Sequence, residues 1–106
     1  MFGKQKRLPF HDIGRTREAA DYIAGELERL MALLLSTKPD VEQWYSERDK
    51  TQQGLKERFP DFEFWHEVWH FLADAGIRAR DTGYRDYQHR LMSDYVTFLR
   101  HAPPNA

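Results

Sequence analysis

The sequence predicts an all-α fold of about four helices, in an antiparallel bundle-like or irregular orthogonal packing. Apolar residues recur at three- and four-residue steps over most of the chain, which is the pattern of a helix with one buried face. No segment alternates apolar and polar residues over the length of a strand. The connections between the helical segments are short, and short connections favour antiparallel neighbours.

Length and composition indicate one domain. The chain has 106 residues, of which 41% are hydrophobic and 31% charged, enough for a buried core and a polar surface. Residues 1–14 contain Lys4, Lys6, Arg7 and two glycines, and we expect them to form a flexible basic N-terminal arm. Residues 15–102 are predicted to form the single helical domain, and residues 103–106 a C-terminal tail.

The first two helices are predicted over residues 15–36 and 39–58. The first must end before Pro39, because a residue that precedes proline is disfavoured in the α region. Thr37 and Asp40 have the spacing of a capping box for the second helix, which we expect to be the most exposed and to fray or bend near Gly54. The buried face of the first helix is predicted from its spacing: Ala20, Ile23, Leu27, Leu30 and Leu34.

The third and fourth helices are predicted over residues 60–75 and 82–101. The third should be the most buried and should end at Gly76, in the left-handed conformation common after a helix. Asp81 or Thr82 can cap the fourth. The apolar arc of the third helix is wide: Phe62, Phe64, Trp65, Val68, Trp69, Phe71, Leu72 and Ala75. The apolar face of the fourth is predicted as Tyr84, Tyr87, Leu91, Tyr95, Phe98 and Leu99, flanked by Met92 and Val96.

Composition also limits the function. There is no cysteine, which excludes disulfides, thiolate catalysis and cysteine-based zinc sites. The absence of cysteine fits a reducing compartment, so we expect a cytoplasmic protein. A net charge of −1 gives no strong field to attract nucleic acid or a membrane surface. We therefore expect no membrane association, and nucleic acid is not the favoured partner.

One short motif carries chemistry. Residues 66–70 read His-Glu-Val-Trp-His, which resembles the H-E-x-x-H string of zinc metalloprotease families. On a helix, His66 and His70 lie one turn apart and can bind one metal ion. The resemblance implies that Glu67 would be the catalytic base acting on a metal-bound water.

The rest of the chain does not extend this resemblance. Gly76 stands where the longer signatures have a third histidine or aspartate, and no predicted strand could hold a substrate. Glu63 and Asp74 lie too far along the helix to reach an ion held between the two histidines. A third ligand would have to come from another element, and the candidates are His89, His11, His101 and Asp86.

Two further groups of residues have competing interpretations. Arg78, Arg80 and Arg85 precede or begin the fourth helix and could bind an anion, although pairing with the acidic third helix is the favoured interpretation. Tyr84, Tyr87 and Tyr95 could present bases with stacking surfaces, but their helical spacing favours a core or an interface.

The leading hypothesis is a non-enzymatic protein-interaction module or a small homodimer that needs no cofactor. It rests on the apolar arc of the third helix, which is wider than one short neighbour can cover, and on the preference of interfaces for aromatic residues. The alternative is a zinc-dependent hydrolase that uses His66, Glu67 and His70.

Overall fold

The computed structural model describes residues 17–60 and 66–101, and these form five helices without a strand, which confirms the all-α prediction. The helices are α1 (Arg17–Met31), α2 (Lys38–Arg58), α3 (His66–Ala73), α4 (Ala75–Arg80) and α5 (Thr82–His101). The predicted arm (residues 1–14), the tail (residues 103–106) and the starts of the first and third predicted helices lie outside the described residues.

The core lies mainly between α1 and α5, which pack along each other, and α2, α3 and α4 contribute the remaining buried side chains. Its largest fully buried side chains include an indole and two other rings, Trp44, Tyr95 and Phe71. The Trp44 and Phe71 rings meet edge to face at 5.4 Å between centroids, which is a favourable geometry for two aromatic rings. The remaining apolar core residues come from all five helices: Ala20, Ile23, Ala24, Leu27, Leu30, Leu55, Val68, Leu72, Ala75, Met92, Val96 and Leu99.

The predicted capping box at the start of α2 is confirmed. The Thr37 hydroxyl accepts a hydrogen bond from the Asp40 amide at 3.2 Å, and the Asp40 carboxylate accepts one from the Thr37 amide at 3.0 Å. The same carboxylate also accepts the Ser36 amide at 2.9 Å. Amide groups that have no partner within the helix are thereby satisfied.

Helix α1 ends five residues before the predicted position, at Met31 rather than residue 36. The indole of Trp44 donates to the Leu30 carbonyl at 2.9 Å, and the Ser36 and Thr37 amides are held by Asp40. Contacts with α2 therefore replace the last turn of the predicted helix. The prediction that Leu34 is buried was wrong, since its side chain is 72% exposed.

A polar cluster joins α1 to α2 along one edge. Arg29 donates to Glu47 at 2.6 Å, to Glu26 at 3.0 Å and to the Thr51 hydroxyl at 2.8 Å. Thr51 in turn donates to Glu26 at 2.7 Å. Because Thr51 is buried, this bond satisfies a hydroxyl that would otherwise be costly to bury. Helix α2 is otherwise largely exposed, as predicted, and it continues unbroken through Gly54.

The third predicted helix ends at Ala73, and a separate helix, α4, begins at Ala75. The prediction of a left-handed Gly76 was wrong, because Gly76 lies inside α4 and no glycine of the described residues has positive φ. Side chains take the place of a glycine cap. Arg78, Arg48 and Tyr45 donate to the last three carbonyls of α3, those of residues 71, 72 and 73, at 2.7, 3.1 and 2.8 Å.

Helix α5 has the predicted bounds, and the Asp81 carboxylate caps it by accepting the Tyr84 amide at 3.0 Å. Its buried face differs from the predicted one, because Tyr87 is 48% exposed whereas Gln88 is buried. The buried face is therefore rotated from the predicted one and consists of Gln88, Met92, Tyr95, Val96 and Leu99.

None of the helices in the described part of the chain is both long enough and apolar enough to span a membrane.

Candidate metal and interaction site on the third helix

One face of α3 is covered by the core and the opposite face is exposed. Val68, Phe71 and Leu72 are buried, and they lie on one side of the helix. The exposed α3 face consists of four residues, spaced at three and four positions: His66, Trp69, His70 and Ala73. None of these four side chains is a carboxylate, an ammonium or a guanidinium, although 31% of the chain is charged.

The two histidines of this face converge. Their Nε2 atoms lie 3.0 Å apart, and their rings are nearly perpendicular with centroids 4.6 Å apart. Which ring donates in this contact depends on the tautomer of each histidine, and a ring nitrogen that accepts a hydrogen bond carries no proton. An unprotonated ring nitrogen is the form of histidine that binds a metal ion.

Those candidate third ligands that the structure describes do not join this pair. Among residues 17–60 and 66–101, no group of three His, Cys, Asp or Glu side chains is placed to hold a metal ion. Asp74 accepts hydrogen bonds from Tyr84 and Gln88 at 2.6 and 3.3 Å. Asp86 pairs with its neighbour Arg85 at 3.6 Å. His11 and Glu63 lie outside the described residues.

The remaining two histidines are on α5. His89 is half-buried, with its ring 6.2 Å from that of Phe71. Burial lowers the pKa of His89, and the nearby charges of Arg78 and Arg85 lower it further. His101 is exposed at the last residue of α5. Neither belongs to a metal-binding group with His66 and His70 in the described part of the chain.

Glu67, the predicted catalytic base, follows His66 on the flank of α3 and is half-exposed. Its position along the helix, 100° round from His66, places it beside the exposed α3 face rather than within it.

Trp69 is the large apolar side chain of the exposed α3 face. It is 50% exposed, although it was predicted to belong to the buried arc of its helix. It also lines a groove of about 420 Å³, whose other wall is formed by the C-terminal part of α2, including Gln52 and Lys56, and by Phe59, which follows that helix. The exposed α3 face therefore borders this groove.

A second cluster, which the sequence did not predict, surrounds Arg78. Its side chain is only 1% exposed and lies between two rings, with the guanidinium carbon 4.1 Å from the Phe71 centroid and 4.8 Å from that of Trp44. Nη1 donates to the Phe71 carbonyl and to Gln88 Oε1, at 2.7 and 2.6 Å. Within the described residues Nε and Nη2 have no partner. Burial lowers the pKa of Arg78 to about 10.

Gln88 and Tyr84 connect this arginine to Asp74. The Gln88 amide donates to the Tyr84 hydroxyl at 3.0 Å, and that hydroxyl donates to Asp74 at 2.6 Å. The hydrogen bond to Asp74 raises the pKa of Tyr84 to about 12. One feature of the sequence could have indicated this cluster. Gln88 lies four, seven and eleven positions before Met92, Tyr95 and Leu99, and it therefore shares their face of the helix.

The two alternative surfaces, an anion site of three arginines and a base-stacking surface of three tyrosines, are not assembled among the described residues. Arg78 is buried while Arg80 and Arg85 are exposed, so the three do not share one surface. Among the described residues, no ion pair joins Glu67 or Asp74 of the predicted acidic helix to the arginines that follow it. Arg85 pairs with Asp86, and Arg100 pairs with Glu28 of α1 at 2.5 Å. Of the three tyrosines Tyr84, Tyr87 and Tyr95, the last is buried, and only Tyr87 is largely exposed.

Comparison with known proteins adds no relative. No protein-family model matches the sequence. No curated protein and no solved structure is significantly similar to the chain either.

Proposed function

We propose that this chain is a non-enzymatic interaction module that forms a homodimer through the exposed α3 face. The observation that supports the proposal is the composition of that face, which presents an indole, two imidazoles and a methyl group and no charged side chain. The buried centre of a protein interface is depleted in charge and enriched in aromatic residues.

A second copy of the chain is the partner that this surface fits best. An uncharged helix face is self-complementary, because two copies related by a two-fold axis bring no like charges together. The net charge of −1 is too small for repulsion between copies to oppose association. Ala73 allows close approach of the two helices, and Trp69 supplies most of the apolar surface to be buried. The cysteine-free composition makes the cytoplasm the proposed location.

Sedimentation velocity over a series of protein concentrations, in buffer that contains EDTA, tests this proposal. We expect concentration-dependent dimer formation by the wild-type chain and a loss of dimer in Trp69→Glu. Tyr87→Glu is the matched control, because Tyr87 is an aromatic residue with nearly the same exposure, 48% against 50% for Trp69, but belongs to α5. Equal dimer formation by both variants would place the interface elsewhere. A wild-type chain that stays monomeric but binds a different protein through Trp69 would make the partner heterologous.

A zinc-dependent hydrolase is the second candidate, and the convergence of His66 and His70 favours it. The reaction would need a third protein ligand from outside the described residues and Glu67 as the base. Zinc-loaded protein that hydrolyses peptide or ester substrates, with activity lost in Glu67→Gln but metal retained, would support this candidate over the interaction module.

A further inference from the structure

The geometry of the imidazole pair is close to that of two ligands on one metal ion. Zinc binds histidine nitrogen at about 2.0–2.1 Å in tetrahedral geometry, which separates two ligand nitrogens by roughly 3.3 Å. The Nε2 atoms of His66 and His70 are 3.0 Å apart. Both side chains are exposed, so the two rings can move apart by the few tenths of an ångström that zinc requires without any rearrangement of the core.

Two ligands do not complete a zinc site. Zinc in a structural site takes four protein ligands, and the described residues contain no third His, Cys, Asp or Glu that joins the pair. The described residues of each chain therefore offer half of a tetrahedral site, on the same face through which the chain is proposed to dimerise.

We propose that a zinc ion binds between two copies of the chain, held by His66 and His70 of each. This inference rests on the proposed dimer, since the ion would lie on its two-fold axis. A closed two-fold interface is isologous, so residues near the axis face their own counterparts. Two imidazoles from each copy then supply the four nitrogen ligands of a tetrahedral zinc ion, and no additional residue is needed.

The surroundings of the pair suit a cation at such an interface. Four neutral imidazoles leave the double charge of the ion uncompensated, and Glu67 of each copy lies one position from His66 on the flank of the exposed α3 face, where it can offset that charge. Imidazole ligands suit zinc, and also copper and nickel, better than calcium or magnesium, which prefer oxygen. The ion would couple its own binding to association, because each half-site holds zinc weakly alone.

The test titrates zinc chloride into metal-free, full-length protein, with sedimentation velocity for mass and mass spectrometry for bound metal. We expect about one zinc per two chains and a dimer dissociation constant lowered about tenfold or more by zinc. His66→Ala and His70→Ala should bind no zinc at the interface, and zinc should not change the dimer dissociation constant that each variant has in EDTA. His101→Ala is the matched control, because His101 is also exposed and helical but lies on α5, and it should behave as the wild type.

The outcomes separate this inference from the proposed function. A dimer in EDTA that is lost in Trp69→Glu but does not respond to zinc would leave the proposed function standing and overturn the zinc bridge. One zinc per chain on a monomer would also overturn the bridge and would favour a ligand set within one chain. A chain that is monomeric with and without zinc would overturn both. Zinc-dependent dimerisation that survives His70→Ala would refute the assignment of the ligands.

Discussion

Replacement of Arg78 by methionine tests whether a buried, incompletely paired guanidinium stabilises this fold. Arg78 is 1% exposed, lies between the rings of Trp44 and Phe71, and donates to the Phe71 carbonyl and to Gln88. Methionine is similar in length and packs well against aromatic rings. The substitution therefore removes the charge and the hydrogen bonds while it keeps most of the volume.

The opposing contributions can be compared. Lowering the Arg78 pKa from 12.5 to about 10 corresponds to roughly 3 kcal/mol of destabilisation of the charged form by burial. Each hydrogen bond from a charged donor contributes about 1.5–3 kcal/mol, and each desolvated cation–π contact about 2 kcal/mol. The favourable contributions, about 7–10 kcal/mol together, exceed this cost by about 4 kcal/mol or more. We therefore expect Arg78→Met to lower the free energy of unfolding by about 4 kcal/mol. Arg78→Ala should cost about 2 kcal/mol more, because it also leaves a cavity.

Urea unfolding at neutral pH, followed by tryptophan fluorescence and far-UV circular dichroism, measures these differences. Arg80→Met is the control, since Arg80 is exposed on the same helix and its substitution should change stability by less than about 0.5 kcal/mol. An Arg78→Met variant as stable as the wild type would mean that the cost of burying the charge cancels its contacts, and would refute the reasoning.

The partner residue gives a second test of the same prediction. Arg78→Met leaves Gln88 Oε1 buried without its donor, a penalty of about 1–3 kcal/mol. Gln88→Leu removes that acceptor, so the double variant should be more stable than the sum of the two single effects predicts, by about 1 kcal/mol or more. Additive effects would show that the 2.6 Å contact between Arg78 and Gln88 contributes no coupling.

Two further predictions concern α2 and α5. A Cβ at Gly54 would lie 2.7 Å from the Tyr22 hydroxyl, which is too close. Gly54→Ala should therefore stabilise α2 by the full amount of about 1 kcal/mol only when Tyr22 is replaced by phenylalanine, and by less in the wild type. Equal shifts of the thermal unfolding midpoint in both backgrounds would contradict this. Burial holds the pKa of His89 below its ordinary value of 6.5, so the folded state binds fewer protons than the unfolded state at mildly acidic pH. The free energy of unfolding, measured by urea unfolding, should therefore fall as pH drops below 6.5. This decline should be shallower in His89→Gln. Parallel pH profiles for the wild type and the variant would contradict the prediction.

The sequence predicted those features that depend on residues close together in the chain. Two helix caps were predicted from sequence: the capping box of Thr37 and Asp40, and a cap of α5 at Asp81 or Thr82, of which the structure shows Asp81. Both were predictable because each joins a side chain to an amide three residues away. The approach of His66 to His70 also follows from the sequence, since both residues lie on one helix, one turn apart. For the same reason the all-α class was predictable from apolar spacing alone.

Features that depend on distant residues could not be predicted. The spacing of Leu34 continues the apolar pattern of α1. The helix nevertheless ends at Met31, because the indole of Trp44 in the next helix donates a hydrogen bond to the Leu30 carbonyl. Likewise, Gly76 stands where a glycine commonly ends a helix. In the structure it lies within a new helix, and its amide donates a hydrogen bond to the Tyr45 hydroxyl of α2 at 3.1 Å. Trp69 belongs to an apolar arc by spacing and is nevertheless half-exposed.

The sequence by itself therefore determined the class of fold, the starts of α2 and α5 and the pairing of His66 with His70, because local hydrogen bonds and helical spacing fix each of them. Only the tertiary structure decided where α1 and α3 end, that Arg78 is buried, and that Trp69 lies beside the histidines on an exposed face. The physical reason is that a carbonyl, a guanidinium or an indole takes the most favourable partner or environment that the packed helices provide, and that partner can be far away in the chain.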